Sequence, residues 1–169
     1  MIAKYVTGKA YVFIDISNLF YSQKSLGWRI AYAKLMHYLK RECGRDTKCF
    51  VYIAYNERNL KERKFLDLLD IHGYIVRSKP LKKITGKNGV FVQKGNLDIE
   101  LAFEMVELAD QYDTAVLMSG DSDFAVALDR VKNKGKRVIV ISTRGRISRE
   151  LIERSKYIDM RKIKKDIIL

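Results

Sequence analysis

Short apolar, β-branched runs alternate along this chain with segments whose apolar residues recur at helical spacing. The runs are AYVFIDI (10–16), KCFVYIAY (48–55), YIVRSK (74–79, closed by Pro80), DTAVLMS (113–119) and KRVIVIS (136–142). Runs without polar alternation suit strands buried on both faces. Between them, 31–43 places Leu35, Met36 and Leu39 on one side of a predicted helix, and 57–73 reads as a charged amphipathic helix halted at Gly73. A third helix is predicted over 97–112 with Ile99, Ala102, Phe103 and Val106 towards the core, others over 122–135 and 148–155, and an edge strand over 157–163. Parallel neighbours need crossovers, and the helices supply them. The expected fold class is α/β: a Rossmann-like, three-layer α/β/α sandwich with a central, mostly parallel sheet. With 169 residues and neither internal repeat nor linker, a single domain over 1–169 is expected, its core spanning about 10–160.

Charge indicates what such a domain would meet. Lys and Arg number 33 against 20 Asp and Glu, a formal net charge of +13 with a pI near 9.7. A field of that sign draws polyanions, nucleic acid first. No single basic amphipathic helix points to a membrane surface, and no apolar stretch approaches the roughly 18–20 residues of a membrane span. The first residues lack the apolar core and cleavage site of a signal peptide, so a cytoplasmic protein without membrane partners is expected. His37, Cys43 and Cys49 are spaced H-x5-C-x5-C, which matches no zinc knuckle; with His72 they read as free thiols and ordinary histidines. Positive charge is concentrated in two segments. LKKITGKNGVFVQKGNL (81–97) contains no acid, and its GKNG marks a turn between β-prone pieces, as in a basic hairpin or flap. TRGRISRE (143–150) is a second basic loop.

Open α/β sheets bind ligands beyond the carboxyl ends of their strands. Asp15 ends the first run, with Asn18 three residues on. LMSGDSDF (117–124) carries Asp121 and Asp123 past the fourth, with Ser119 and Ser122 flanking Asp121. Asp98 opens the helix before that strand. Each residue alone admits a structural role: Asp15 and Ser122 as caps, Asn18 as a turn residue, Asp98 as a partner of the helix dipole. Gathered at one edge, these carboxylates would repel one another, and such clusters persist where a cation offsets the repulsion. Oxygen ligands without His or Cys favour Mg²⁺ or Mn²⁺ over zinc. Two such ions, about 4 Å apart, hold both the attacking and the leaving oxygen of a phosphodiester.

The segments FIDISN (13–18), KGNLDIELAFEM (94–105) and AVLMSGDSDFAVALDRVKNKGKRVIVIS (115–142) resemble the NYN domain, in its LabA-like branch, within the PIN-domain superfamily of metal-dependent nucleases. The resemblance covers roughly residues 10–160. It implies a PIN-like sandwich, an acidic pocket binding Mg²⁺ or Mn²⁺, and ribonuclease activity. Asp15 matches the first-strand acid and Asn18 its polar companion. Asp98 matches the aspartate opening the middle helix, and Asp121 and Asp123 the pair after the fourth strand. These four aspartates are the candidate catalytic and metal-holding residues, supported by Asn18, Ser119 and Ser122. Glu104 departs from the family where relatives carry aspartate, although a longer carboxylate still reaches a metal through water. Ile16 departs where relatives carry glycine, which narrows the pocket beside Asp15.

Lys82, Lys83, Lys87 and Lys94, with Lys79 beside them, flank the approach to Asp98, and Arg144, Arg146 and Arg149 follow the fifth strand. All are candidates to grip an RNA backbone. Tyr21, Trp28 and Phe91 are aromatics for stacking on unpaired bases or for packing the core and rim. The leading reading is a metal-dependent ribonuclease, an endonuclease hydrolysing RNA phosphodiester bonds, with pairing into a homodimer left open. The alternative is an RNA-binding regulatory module that retains the acidic pocket. A topoisomerase–primase type domain would place a glutamate at the end of the first strand, and an aspartyl-phosphate phosphatase a D-x-D there; this chain has neither.

Overall fold

In the computed structural model, which describes residues 1–85 and 91–169 (83–85 and 91–94 by backbone alone), strands and helices alternate as the periodicity predicts. The order is β1 (Ala10–Asp15), α1 (Ile16–Leu26), α2 (Tyr32–Cys43), β2 (Lys48–Tyr55), α3 (Leu60–Ile71), β3 (Ile75–Pro80), β4 (Lys82–Thr85), β5 (Phe91–Lys94), α4 (Asp98–Glu107), β6 (Thr114–Met118), α5 (Ala125–Asn133), β7 (Arg137–Ser142), α6 (Arg149–Arg154), β8 (Lys156–Asp159) and α7 (Lys164–Ile167). Six strands form one sheet in the order β3-β2-β1-β6-β7-β8, every pairing parallel. The chain builds outward from β1 to β3, returns to the other side of β1 with β6, and builds outward again. That reversal puts the topological switch point between β1 and β6. Ile14 pairs with Met118, so Asp15 and Ser119 leave the sheet side by side.

The strands are apolar throughout because both faces are covered. Val12 and Ile14 face a core with Leu19 of α1 and Leu35 and Leu39 of α2. Tyr11 and Phe13 face a second core with Leu101 and Met105 of α4 and Leu128 of α5. The layers are therefore α1, α2, α3 and α7 on one side and α4, α5 and α6 on the other. The result is the expected three-layer α/β/α sandwich with a central parallel sheet.

Several local expectations change. Helix α4 turns Leu101 and Met105 inward, following Leu97, and leaves Ile99 79% and Phe103 67% exposed, while Ala102 and Val106 are half-buried. On its flank Glu100 and Glu104, one turn apart, pair with Lys79 and Arg77 of β3, which fits this rotation. The helix ends at Glu107 and continues as a 3-10 turn, Leu108–Gln111. Residues 16–26 form helix α1, which periodicity alone did not reveal. Asp15 caps it, its buried residues are Ile16, Leu19 and Ser22, and Gly27 ends it at φ 70°. The predicted helix 122–135 begins as a 3-10 turn, Ser122–Phe124, and the edge strand stops at Asp159 before another, Met160–Ile163. The basic segment does form an antiparallel hairpin, with Lys82 opposite Lys94; its GKNG turn lies outside the described residues. Cys43 and Cys49 are free, buried thiols, both pushed up to about 12 by burial. Among the described residues no helix is long and apolar enough to cross a membrane.

Candidate active site at the sheet switch point

Asp15, the last residue of β1, is 7% exposed and fully engaged. Its Oδ1 accepts a hydrogen bond from the Asn18 amide at 3.0 Å, and its Oδ2 accepts one from Ser119 Oγ at 3.0 Å. Ser119 Oγ in turn accepts from the Asp121 amide at 3.3 Å, and Asn18 Oδ1 accepts from the Gly120 amide at 3.1 Å. The first turn of α1 is thus stitched to the loop leaving β6. Asp121, and not Ser122, caps the 3-10 turn that follows: its Oδ1 accepts from the Asp123 amide at 3.0 Å. Asp98 is the first residue of α4, with Asn96 Nδ2 donating to its Oδ2.

Asp98 and Asp15 feel both their burial and the neighbouring carboxylates. Burial, then repulsion from Asp15, Asp121 and Asp123, pushes the Asp98 carboxyl up to about 6. Burial also raises Asp15, with Asp121 adding to the shift and the Asn18 and Ser119 hydrogen bonds opposing it. The cluster is loose: among the described residues no group of three acidic, imidazole or thiol side chains is drawn tightly enough to encircle an ion. Its donor chemistry, carboxylate oxygens that form no salt bridge among the described residues, fits a hard divalent cation.

A carboxyl raised in the folded state binds its proton more tightly there than in the unfolded chain. The stability tied to that proton is present at low pH and is lost as pH rises from the unfolded value near 4 through about 6. Asp98→Asn is therefore expected to stabilise the metal-free protein at pH 7, by on the order of 1 kcal/mol after allowing for solvent screening. The gain should vanish at pH values below both titrations. Thermal melts of wild type and variant at both pH values test this; an equal or lower melting temperature for the variant at pH 7 would refute the raised carboxyl.

Basic residues rim the cluster on one flank. The Ser148 amide donates to the Gly120 carbonyl at 2.9 Å, and a Cβ placed on Gly120 would lie 1.8 Å from the Arg146 carbonyl oxygen. The loop 143–148 therefore lies directly on the segment carrying Asp121, and Arg146 Nε bonds Ser25 Oγ of α1. Arg144 and Arg146 are exposed.

Against this geometry, the NYN domain matches the chain over residues 9–161. The chain belongs to the NYN domain family. It is similar to the low amplitude and bright protein LabA of Synechococcus elongatus, 36% identical over 160 residues that take in 90% of this chain and 84% of that protein. Its fold is also that of a protein of unknown function from Vibrio parahaemolyticus, with a TM-score of 0.78 over 96% of each chain at 22% identity.

In this NYN domain the anticipated site residues divide into groups. Asp15, Asp98, Asp121 and Asp123 share the switch-point edge, with Asn18 and Ser119 as the struts between their loops; Ser122 is exposed. Glu104 is not available to a metal. Arg77 grips both its oxygens, at 2.6 and 2.9 Å, and Tyr52 Oη donates to it at 2.9 Å. Burial alone would raise that carboxyl, but these donors outweigh it and hold it below the usual range. Lys79 pairs with Glu100 at 2.6 Å and Arg149 with Glu153 at 2.6 Å. Lys82 is exposed at the start of the hairpin, Lys83 and Lys94 lie on its two strands, and Lys87 falls outside the described residues. Tyr21 is 55% exposed, Trp28 packs against the first core, and the Phe91 side chain is outside the description.

Sequence reasoning missed Arg77, Tyr52 and Asn96. Arg77 and Glu104 are 27 positions apart, and nothing pairs them until β3 and α4 are neighbours. It also missed Ser142 and Thr143 at the carboxyl end of β7, buried hydroxyls with no hydrogen-bond partner among the described residues. The strand-end rule that found the aspartates would have flagged them.

Proposed function

We propose that this NYN domain is a metal-dependent ribonuclease, an endonuclease, whose acidic cluster holds Mg²⁺ or Mn²⁺. One observation carries the reading: four aspartates from three separate chain segments lie at the switch point, where burial, with repulsion from the neighbouring carboxylates added to it, raises Asp98 and Asp15. Folding would not retain such repulsion for its own sake. Asp15, Asp98, Asp121 and Asp123 would hold the ion. When bound, it supplies an acidified water and charge stabilisation for the leaving oxygen. Ser119 fixes the Asp15 carboxylate and the Asp121 backbone relative to one another. Asn18 and Asp15 anchor α1 at the pocket wall. Arg144, Arg146 and the hairpin lysines attract the phosphate chain and orient it against the aspartates.

The test is cleavage of a labelled single-stranded RNA and of a closed circular RNA, with Mn²⁺ or Mg²⁺ and with EDTA. Metal-dependent linearisation of the circle is the expected result, because only an endonuclease opens it. Salt-sensitive binding without cleavage would favour the second reading, an RNA-binding regulatory module. The looseness of the cluster is the observation on that side.

A further inference from the structure

Helix α1 carries two large rings that the fold does not bury. Phe20 is 53% and Tyr21 55% exposed, while Leu19 and Ser22 on either side of the pair are buried. The rings meet edge to face, with centroids 6.0 Å apart. Lys24 Nζ stands 4.6 Å from the Phe20 centroid and 5.6 Å from the Tyr21 centroid, so a cation belongs to the same patch. The helix begins at Asp15, and Tyr21 lies six residues on, a rise of about 9 Å. One turn before Tyr21 is Asn18, bonded to Gly120; one turn after it is Ser25, bonded to Arg146. Tyr21 therefore lies on the helix face that meets the acidic cluster and the basic loop, and Phe20 and Lys24 extend the patch from it around the helix.

We propose that Phe20 and Tyr21, with Lys24, form a stacking platform for unpaired bases of a strand whose backbone passes the aspartates. Exposed aromatics beside cations are how proteins hold single strands without reading sequence, since every base offers a π-face and every linkage a phosphate. Duplex bases are stacked on one another and cannot reach such rings. The proposal rests on the ribonuclease reading for the identity of the strand as RNA, and it adds a preference for unpaired over paired substrate.

The test is binding in EDTA, measured by fluorescence anisotropy, to a single-stranded RNA, the same strand with abasic positions, and a blunt duplex. The double variant Phe20→Ala/Tyr21→Ala removes only exposed rings, and a thermal melt checks that it folds. It is expected to bind the single strand about ten- to a hundredfold more weakly and the other two probes within about twofold of wild type. Tyr21→Trp should retain single-strand binding. Unchanged binding, or an equal loss on all three probes, would overturn the platform. So would unchanged RNA binding with a change in the protein's mass in solution, which would make the rings a contact between protein chains. Because no cleavage is scored, the two readings fail separately. Ring-dependent binding by a protein that cuts nothing removes the nuclease and keeps the platform; metal-dependent cutting with ring-independent binding does the reverse.

Discussion

Asp121→Asn is expected to reduce metal-dependent RNA cleavage by on the order of a hundred- to a thousandfold while leaving the fold intact. The substitution separates two duties of one side chain. As a cap, Asp121 Oδ1 accepts from the Asp123 amide, and an asparagine Oδ1 does the same with equal preference at that position. The bond from the Asp121 amide to Ser119 Oγ is made by the backbone and survives any side chain. What disappears is one negative charge from a cluster whose repulsion is visible at Asp98. The melting temperature should hold or rise as cleavage falls, a combination that loss of folding cannot produce. Wild type and variant purified side by side provide the control: equal cutting by both would assign the activity to a contaminant and remove Asp121 from the chemistry.

Gly120→Ala is expected to have the largest structural effect of any single methyl added at the site. Gly120 does not adopt a positive φ, so the demand on it is space and not backbone freedom. An added Cβ would stand 1.8 Å from the Arg146 carbonyl oxygen and 2.7 Å from Ser142 Oγ. Neither is the yielding end of a long side chain. If the 143–148 loop lifts, the Ser148 amide loses the Gly120 carbonyl; if the β6 loop sinks, Asn18 loses the Gly120 amide. Overpacking of this kind costs about 1–3 kcal/mol. Either movement also shifts Arg144 and Arg146 relative to Asp121, so RNA affinity should fall along with the melting temperature. A variant that melts and binds like wild type would mean that the loop does not rest on Gly120.

The parallel sheet and the acidic edge were legible in the sequence for one reason. Strands covered on both faces leave uninterrupted apolar runs, and polar residues at the ends of such runs mark the edge where ligands bind. Asp15, Asp121 and Asp123 were found in this way. The rotation of α4 was not legible, because LDIELAFEMVEL offers two overlapping apolar stripes. The winning stripe, through Leu101 and Met105, is the one that packs on Tyr11 and Phe13 of β1, and it leaves Glu100 and Glu104 to meet Lys79 and Arg77 on a strand far off in sequence. Helix α1 was hidden because ISNLFYSQKSL exposes two of its largest apolar side chains, which blurs the periodicity. The tie of Arg149 to Glu153 was readable from i,i+4 spacing, and it leaves the Arg149 side chain 88% exposed.

Ser119 bonds the carboxylate of Asp15 on one strand and the backbone of Asp121 beyond the next. The gap between those two acids is thereby gauged by the reach of a single hydroxyl, in a position closed to solvent. The opposite jaw, carrying Asp98, is seated on buried Leu101 and Met105 and flanked by Arg77–Glu104 and Lys79–Glu100, bridges open to water and ions. Ionic strength consequently acts as a dial on the flank of one jaw and not on the other. Raising it weakens the two flanking bridges, while buried Leu101 and Met105 keep α4 seated and the Asp15–Asp121 spacing keeps its gauge.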